Sequence, residues 1–221
     1  MTKVTFKFDK EKDLYNIWQA CNSDSSFGYD FKKNIDKKTI SICQGRTFEE
    51  CKEELTEKFK AIHNSELVPI LLNAVNESWK LINNEFFKRL ENIMKKSIYT
   101  NSFTGYLTFI PKCSYSLKEN SFYFNFFSPL SGILQTAAHE IMHLQFHNTY
   151  WSKIEKQIGE GKTADLKEAL TVLLNLEFKD LWFIQDNGYE IHQELRKFIV
   201  EEWKKEKDFE NLINKCIAFL K

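Results

Sequence analysis

The stretch from Leu130 to Tyr150 constrains the fold of this chain more than any other segment. It contains no proline, and its apolar residues cover most of the circumference of a helix rather than a single stripe. A helix of this kind is stable only when other elements surround it. Ser128 is a candidate N-cap and Pro129 a candidate first helical residue. The sequence therefore predicts a buried helix that begins next to residue 129.

The predicted helix carries the sequence His139-Glu140-Ile141-Met142-His143. Residues four apart project from one face of a helix, so His139 and His143 can hold one small cation between them. Glu140 lies near the same face, within reach of a water on that cation but not of the cation itself. Zinc lowers the pKa of a bound water towards ~7, and an adjacent carboxylate can take its proton as the water attacks a carbonyl carbon. The motif predicts a Zn²⁺ site with Glu140 as the general base of peptide hydrolysis.

A structural interpretation of the same motif is that both histidines are core residues bonded to their neighbours, with Glu140 paired to a lysine. His147 continues the spacing, but eight residues of helix rise by roughly 12 Å, which is too far for two bonds of ~2 Å to one ion. His147 is therefore predicted to support the fold or the site without binding metal. The lone His63, at a polar helix end, is predicted to lie at the surface.

A catalytic zinc uses three protein ligands, so a third is expected from another element. Glu168 is the main candidate, because it adjoins the apolar run 169–174 on a predicted helix over 163–181 with Thr163 as its N-cap. A carboxylate beside such a run is costly to bury unless a cation meets it. The alternatives are an exposed first-turn glutamate at position 168 and a different ligand, chosen from Asp165, Glu177 and His192.

At this point the chain resembles the gluzincin branch of zinc metallopeptidases, which includes thermolysin and the thimet oligopeptidases. These proteins have HExxH on one helix and a ligand glutamate on a following helix. The interval of 25 residues between His143 and Glu168 is most similar to the oligopeptidase spacing. The resemblance covers only about residues 122–189. It implies His139, His143 and Glu168 as zinc ligands and Glu140 as the base.

The chain departs from the gluzincin pattern at one position. Thermolysin-like members carry an aspartate four residues after the ligand glutamate, where it orients the first histidine, and this chain has Val172 there. The partner of His139 is then expected elsewhere, with Asn175 or a backbone carbonyl as candidates.

Two further segments are candidates for substrate contact. By the same resemblance, the aromatic strand predicted over 121–127 lines the cleft and pairs with an extended peptide, while an aromatic core strand is the equal alternative. Tyr189 and His192 follow the turn at 186–188, and either is a candidate donor to the oxyanion of the reaction. Their structural interpretation is a tyrosine packed at a helix start and a surface histidine.

Bulk properties agree with a soluble intracellular enzyme, and the motif predicts a peptide or protein as its substrate. Lys plus Arg and Asp plus Glu balance at 31 each over 221 residues, so no charge-driven binding to nucleic acid or membrane is expected. The first eight residues lack the apolar core of a signal peptide, and no segment approaches the ~20 apolar residues of a membrane span. The five scattered cysteines form no CxxC motif and indicate a reducing compartment. The chain is predicted to act in the cytoplasm, and its oligomeric state stays open.

The predicted fold class is α+β and mostly helical, with a small antiparallel sheet beside the metal helix in a zincin-like arrangement. Residues 1–100 are predicted as a mostly helical N-terminal region and 101–221 as a zincin-like metallopeptidase region. The segments behind this prediction are strands at 4–8 and 39–43, a hairpin of 105–110 with 122–126, and helices at 10–21, 47–63 and 66–96.

The function that follows is a zinc-dependent metallopeptidase that uses metal-activated water and a glutamate base. The alternative is a non-catalytic helical module that binds a partner protein and has a structural or vestigial metal site.

Overall fold

The computed structural model describes residues 2–24 and 27–221. Most of them are helical and one sheet of four strands accompanies the helices, which confirms a mostly helical α+β protein. In the described ranges, no helix is both long enough and apolar enough to cross a membrane.

The strands are β1 (Lys3–Lys7), β2 (Ser102–Thr108), β3 (Tyr115–Ser116) and β4 (Ser121–Asn125). The helices are α1 (Lys10–Asn22), α2 (Lys37–Cys43), α3 (Phe48–His63), α4 (Leu67–Met94), α5 (Leu130–Phe146), α6 (Ser152–Leu170), α7 (Val172–Glu177), α8 (Lys179–Trp182), α9 (Gln193–Lys205) and α10 (Phe209–Leu220). Short 3₁₀ turns lie at Phe31–Asn34 and Glu190–His192, and a π-helical turn lies at His147–Trp151.

The sheet is mixed, and the prediction of an antiparallel sheet is wrong. Its strand order is β1-β2-β4-β3, with β1 parallel to β2 and β2 parallel to β4. Only the short β3 runs antiparallel, next to β4. The predicted hairpin fails because residues 109–120, which connect β2 to β4, are about as many as a parallel crossover needs.

The segment 39–43 is also corrected, from a strand to helix α2. Its β-branched residues favour a strand, but Asp36 caps a helix by accepting a hydrogen bond from the Thr39 amide at 3.1 Å. The helix then packs with α1 and α3 around a small second core. The predicted helices α1, α3 and α4 are confirmed to within two residues at each end.

Helix α5 lies at the centre of the larger core, as its apolar circumference predicts. Its fully buried side chains contact α4 on one side and the sheet on another; they include Ile133, Ala137, Ala138, Ile141 and Leu144. The helix begins at Leu130, and Pro129 rather than Ser128 occupies the N-cap position, with no side-chain cap. The predicted start at Pro129 is therefore one residue early, and the predicted Ser128 cap is wrong.

Helix α6 follows α5 through the π-helical turn and is broken at Gly159. That residue has φ of 80° and ψ of 165°, a conformation that favours glycine. The kink corrects the assignment of Thr163 as an N-cap, since Thr163 lies inside the helix and its hydroxyl donates to the Gly159 carbonyl at 2.7 Å. The kink also sets the direction of the segment that carries Glu168.

The sheet and the larger core both contain residues from before and after position 100. Strand β1 pairs along its whole length with β2, and α4 packs against α5. The division into regions 1–100 and 101–221 stays a prediction, and these contacts cross it.

Candidate metal centre

Three side chains from two helices meet at one point beside α5. His139 and His143 lie one turn apart on α5, and Glu168 lies on α6 after the kink. The Glu168 Oε2 atom is 3.1 Å from His143 Nε2 and 3.6 Å from His139 Nε2. One ligand atom from each of the three residues lies within 4.8 Å of the others. We call these three residues the metal cluster.

Two of the separations within the metal cluster are close to those around a small tetrahedral ion. Bonds of ~2.0–2.1 Å to a tetrahedral zinc place neighbouring ligand atoms roughly 3.4 Å apart. The two nitrogen-to-oxygen separations, 3.1 and 3.6 Å, lie on either side of that value. Two imidazoles and one carboxylate are also a donor set that zinc accepts.

Asp186 is the partner of the first histidine, and neither sequence candidate for that role is correct. Its Oδ2 atom lies 2.5 Å from His139 Nδ1, which leaves Nε2 directed to the metal cluster. Asn175 acts one step further away: its side-chain amide donates to the Asp186 carbonyl and accepts from the Asp186 amide, both at 2.7 Å. A carboxylate behind a ligand histidine fixes the ring and increases its basicity. The turn at 186–188 was the available sequence signal, and its aspartate was overlooked.

The two histidines have opposite electrostatic environments. Burial opposes a charge on His139, but Asp186 and Glu168 outweigh it and hold its pKa well above the usual value. Burial, together with the positive charge of Lys167, lowers the pKa of His143 to about 3. Among the described residues, His143 Nδ1 is buried without a hydrogen-bond partner. A neutral imidazole is the form that binds a metal.

Glu168 is held from its other side by a buried lysine. Lys167 Nζ lies 2.8 Å from Glu168 Oε1 and donates a hydrogen bond of 3.0 Å to the Tyr115 hydroxyl. That hydroxyl lies 2.7 Å from His147 Nε2, so His147 contacts the support of the cluster and not the cluster itself. Burial opposes the charge on Glu168, yet the histidines and Lys167 hold its pKa far below the usual value. The sequence analysis missed Lys167.

Glu140 lies beside the metal cluster without belonging to it. Its side chain is buried, and burial raises its pKa to about 7. Within the described residues, no lysine or arginine nitrogen lies within 4.0 Å of its carboxylate. The ion pair between Glu140 and a lysine, which the structural interpretation of the motif predicts, is therefore absent there. The carboxylate instead borders two cavities.

The two cavities meet at the metal cluster. The open cleft has a volume of about 800 Å³ and the small pocket a volume of about 330 Å³. Both are lined by His139, Glu140 and Tyr189. Asn125, at the end of β4, lines the open cleft, while Phe122 and Phe124 of the same strand are buried in the core. A molecule in either cavity would lie next to the cluster.

The remaining candidates occupy different places. Tyr189 is half-buried in the wall shared by both cavities. His192 is buried rather than at the surface; its Nε2 lies 2.9 Å from Asp165 Oδ1, and neither residue lines a cavity at the cluster. Glu177 accepts from the Trp203 indole at 2.8 Å, on another part of the fold. The structure thus brings Tyr189 to the site and leaves the other three outside it.

No protein-family model, curated protein or solved structure matches this chain. The resemblance to gluzincins therefore stays a prediction that rests on the motif residues. The geometry described above is independent of that resemblance.

Proposed function

We propose that this protein has a zincin-like fold and is a zinc-dependent metallopeptidase, which hydrolyses peptide bonds. The observation that carries the proposal is that Glu168 Oε2 lies 3.1 Å from His143 Nε2 and 3.6 Å from His139 Nε2, in residues that all line the small pocket, while His139 also lines the open cleft. Asp186 supports it from behind, since it orients the first imidazole. An arrangement of two histidines and a glutamate with an open side is typical of catalytic rather than structural zinc.

Zinc, when bound, would polarise the substrate carbonyl and make water a stronger acid. Glu140 would accept a proton from the attacking water and deliver it to the leaving amine. Tyr189, in the wall above the cluster, can donate its phenolic proton in a hydrogen bond to the oxyanion. The open cleft, lined by Asn125 and Phe127 among others, is the place for an extended peptide or protein substrate.

The five cysteines are all free thiols, and four of them are buried. Unpaired thiols are typical of proteins in a reducing compartment. We include the cytoplasm in the proposal on this ground.

A non-catalytic helical module with a structural or vestigial site is the rival function. The 3.1 Å contact between His143 and Glu168 is also a hydrogen-bond distance, and Lys167 already balances the charge of Glu168. Under this alternative, the cluster would be a closed network of buried polar groups. A vestigial site would bind zinc weakly or not at all, and a structural site would hold zinc without supporting hydrolysis.

Metal analysis and peptide hydrolysis separate the two functions. The purified protein should contain about one zinc per chain, and His139→Ala should remove it. Glu140→Gln should retain the zinc and lose hydrolysis of a mixed peptide library by at least about 100-fold. Glu190→Gln, at an exposed position, is the matched control and should behave as wild type. The proposed enzymatic function would be rejected if the protein binds no zinc when zinc is supplied. It would also be rejected if the zinc-loaded protein hydrolyses no peptide.

A further inference from the structure

The two cavities at the metal cluster differ in charge. Among the described residues that line the open cleft, none is a lysine or an arginine. The small pocket is lined by Lys112 and Lys167. Among the described residues that line the two cavities, the lysines therefore lie only on the small pocket, which Asp24, Glu140 and Glu168 also line.

The charge of Lys167 already has a partner. Its ammonium lies 2.8 Å from Glu168 Oε1 and donates to the Tyr115 hydroxyl at 3.0 Å. Lys167 contributes to the potential in the small pocket, but its first role is to hold the third residue of the cluster.

Lys112 has no such partner. Its ammonium donates to the Ser23 hydroxyl at 2.7 Å, and in the described part of the chain no carboxylate oxygen lies within 4.0 Å of it. Asp24 also lines the pocket, but it is exposed and outside that distance. Partial burial also lowers the pKa of the Lys112 ammonium, because the charged form has lost part of its water. An anion in the pocket would supply the missing contact.

The rest of the small pocket suits the end of a peptide. Its volume of about 330 Å³ is at the lower limit for ligand pockets. Phe27, Phe31 and Tyr189 give it an aromatic wall, and the ring centroids of Phe27 and Tyr189 are 5.1 Å apart. The pocket thus offers room for one bulky side chain together with an anionic group, and it opens onto Glu140 and the cluster.

We propose that the small pocket binds a carboxylate of the substrate, with Lys112 as the group that recognises it. The proposal rests on the peptidase function proposed above and specifies its substrate class. In this proposal the carboxylate belongs to the residue on the leaving side of the cut bond. Its source is the C-terminal carboxylate, which makes the enzyme a carboxypeptidase, or an acidic side chain at that position.

Three peptides distinguish these sources. The first is an N-acetylated tetrapeptide of three alanines and a C-terminal phenylalanine, the second is its C-terminal amide, and the third is that amide with glutamate in place of phenylalanine. Preference for the first peptide indicates the C-terminal carboxylate, and preference for the third indicates an acidic side chain. In the wild-type protein we expect the first peptide to have a kcat/KM at least about tenfold above the second, a difference of about 1.4 kcal/mol.

Lys112→Met tests the recognising residue. It should raise KM for the preferred peptide about tenfold, leave kcat within about twofold and leave the plain amide unchanged, because one charge-assisted contact is lost. Lys112→Arg retains the positive charge and should retain most of the preference. Lys118→Met removes an exposed lysine near the same loop and is the matched control, with wild-type values expected for all three peptides.

The outcomes separate the inference from the proposed function. Equal cleavage of all three peptides, or a preference that survives Lys112→Met, overturns the role of the small pocket and leaves the peptidase in place. If no peptide is cleaved, calorimetric binding of the same peptides to the zinc-loaded Glu140→Gln protein decides. Tighter binding of an anionic peptide that is lost with Lys112→Met supports the pocket, and equal binding of all three overturns it.

Discussion

Two buried histidine–carboxylate contacts in this protein differ in their surroundings: one is enclosed by core residues and the other lies beside two cavities. In the N-terminal half, His63 Nε2 lies 2.8 Å from Asp13 Oδ2, and both side chains are buried, although the sequence analysis placed His63 at the surface. The other Asp13 oxygen accepts from the Thr108 hydroxyl at 2.7 Å and the Phe109 amide at 3.0 Å. In the metal cluster, two imidazoles and a carboxylate converge at the junction of two cavities.

The comparison shows what separates a structural histidine from a candidate ligand. Both Asp13 carboxylate oxygens are occupied by neighbouring polar groups, and the aromatic rings of Phe8, Phe59 and Phe109 pack against His63. At the metal cluster, the acceptor and donor atoms share one point that faces open space. Burial and pairing are common to both places, so neither by itself identifies a site. Convergence next to a cleft is the feature that differs.

The largest expected effect is on folding, at the structural pair. Asp13→Ala leaves three buried donors without an acceptor and should lower the free energy of unfolding by about 3–5 kcal/mol. Zinc content at saturating zinc should stay at one per folded chain. Urea unfolding and metal analysis measure the two quantities. A large loss of zinc affinity in folded Asp13→Ala protein would break the distinction between the two networks.

The next effect is on metal binding, at the third residue of the cluster. Glu168→Gln keeps the shape of the side chain and removes its charge, so zinc affinity should fall by about 100-fold or more. Titration with a competing chelator measures it, and Glu155→Gln, earlier on the same helix, is the control. Unchanged zinc affinity in Glu168→Gln would reject Glu168 as a ligand.

Asp186→Asn should have an intermediate effect. It keeps the hydrogen-bonding shape but removes the charge behind His139, and changes of this kind cost about 10–100-fold in metal affinity. The same chelator titration applies. An effect as large as that of Glu168→Gln would mean that Asp186 itself binds the metal.

The smallest effect is expected at an exposed cap. Burial opposes the charge of Asp36, but hydrogen bonds from Thr39 and Lys58 outweigh it and lower its pKa from 3.8 to about 2. The carboxylate therefore stabilises the fold above about pH 4, and this contribution is lost as the pH falls towards 2. Asp36→Ala should cost about 1 kcal/mol at pH 7. The difference from wild type in urea unfolding should shrink in acid; a constant difference would contradict the cap.

The sequence identified the residues whose positions depend on local periodicity or on the cost of buried charge. Helix spacing alone brings His139 and His143 together, and the apolar run after Glu168 gave a reason to seek a cation there. Asp186 was missed because it reaches His139 across 47 residues of chain, through a fold that no local pattern specifies. Lys112 was missed for the same reason.

The errors in the fold have equally specific causes. The alternation of polar and apolar residues predicts that β2 and β4 are strands. The same alternation occurs in parallel and antiparallel strands, so it could not predict that β2 and β4 pair in parallel. In α2 the β-branched residues Thr39 and Ile40 favour a strand, and the Asp36 cap together with packing against α3 outweighs that preference. Strand or helix type was predictable where local and tertiary preferences agree.

Because helix α6 is broken at Gly159, the direction of the Glu168 side chain depends on the number of residues between Gly159 and Glu168. Beyond that glycine the helix is regular, and each added residue turns the following side chains by about 100° around the axis. A single insertion between Gly159 and Glu168 would point the glutamate away from both histidines, whereas an insertion before the glycine can be taken up where the helix is already broken. The number of residues between HExxH and Gly159 can therefore vary, whereas the number between Gly159 and Glu168 is fixed.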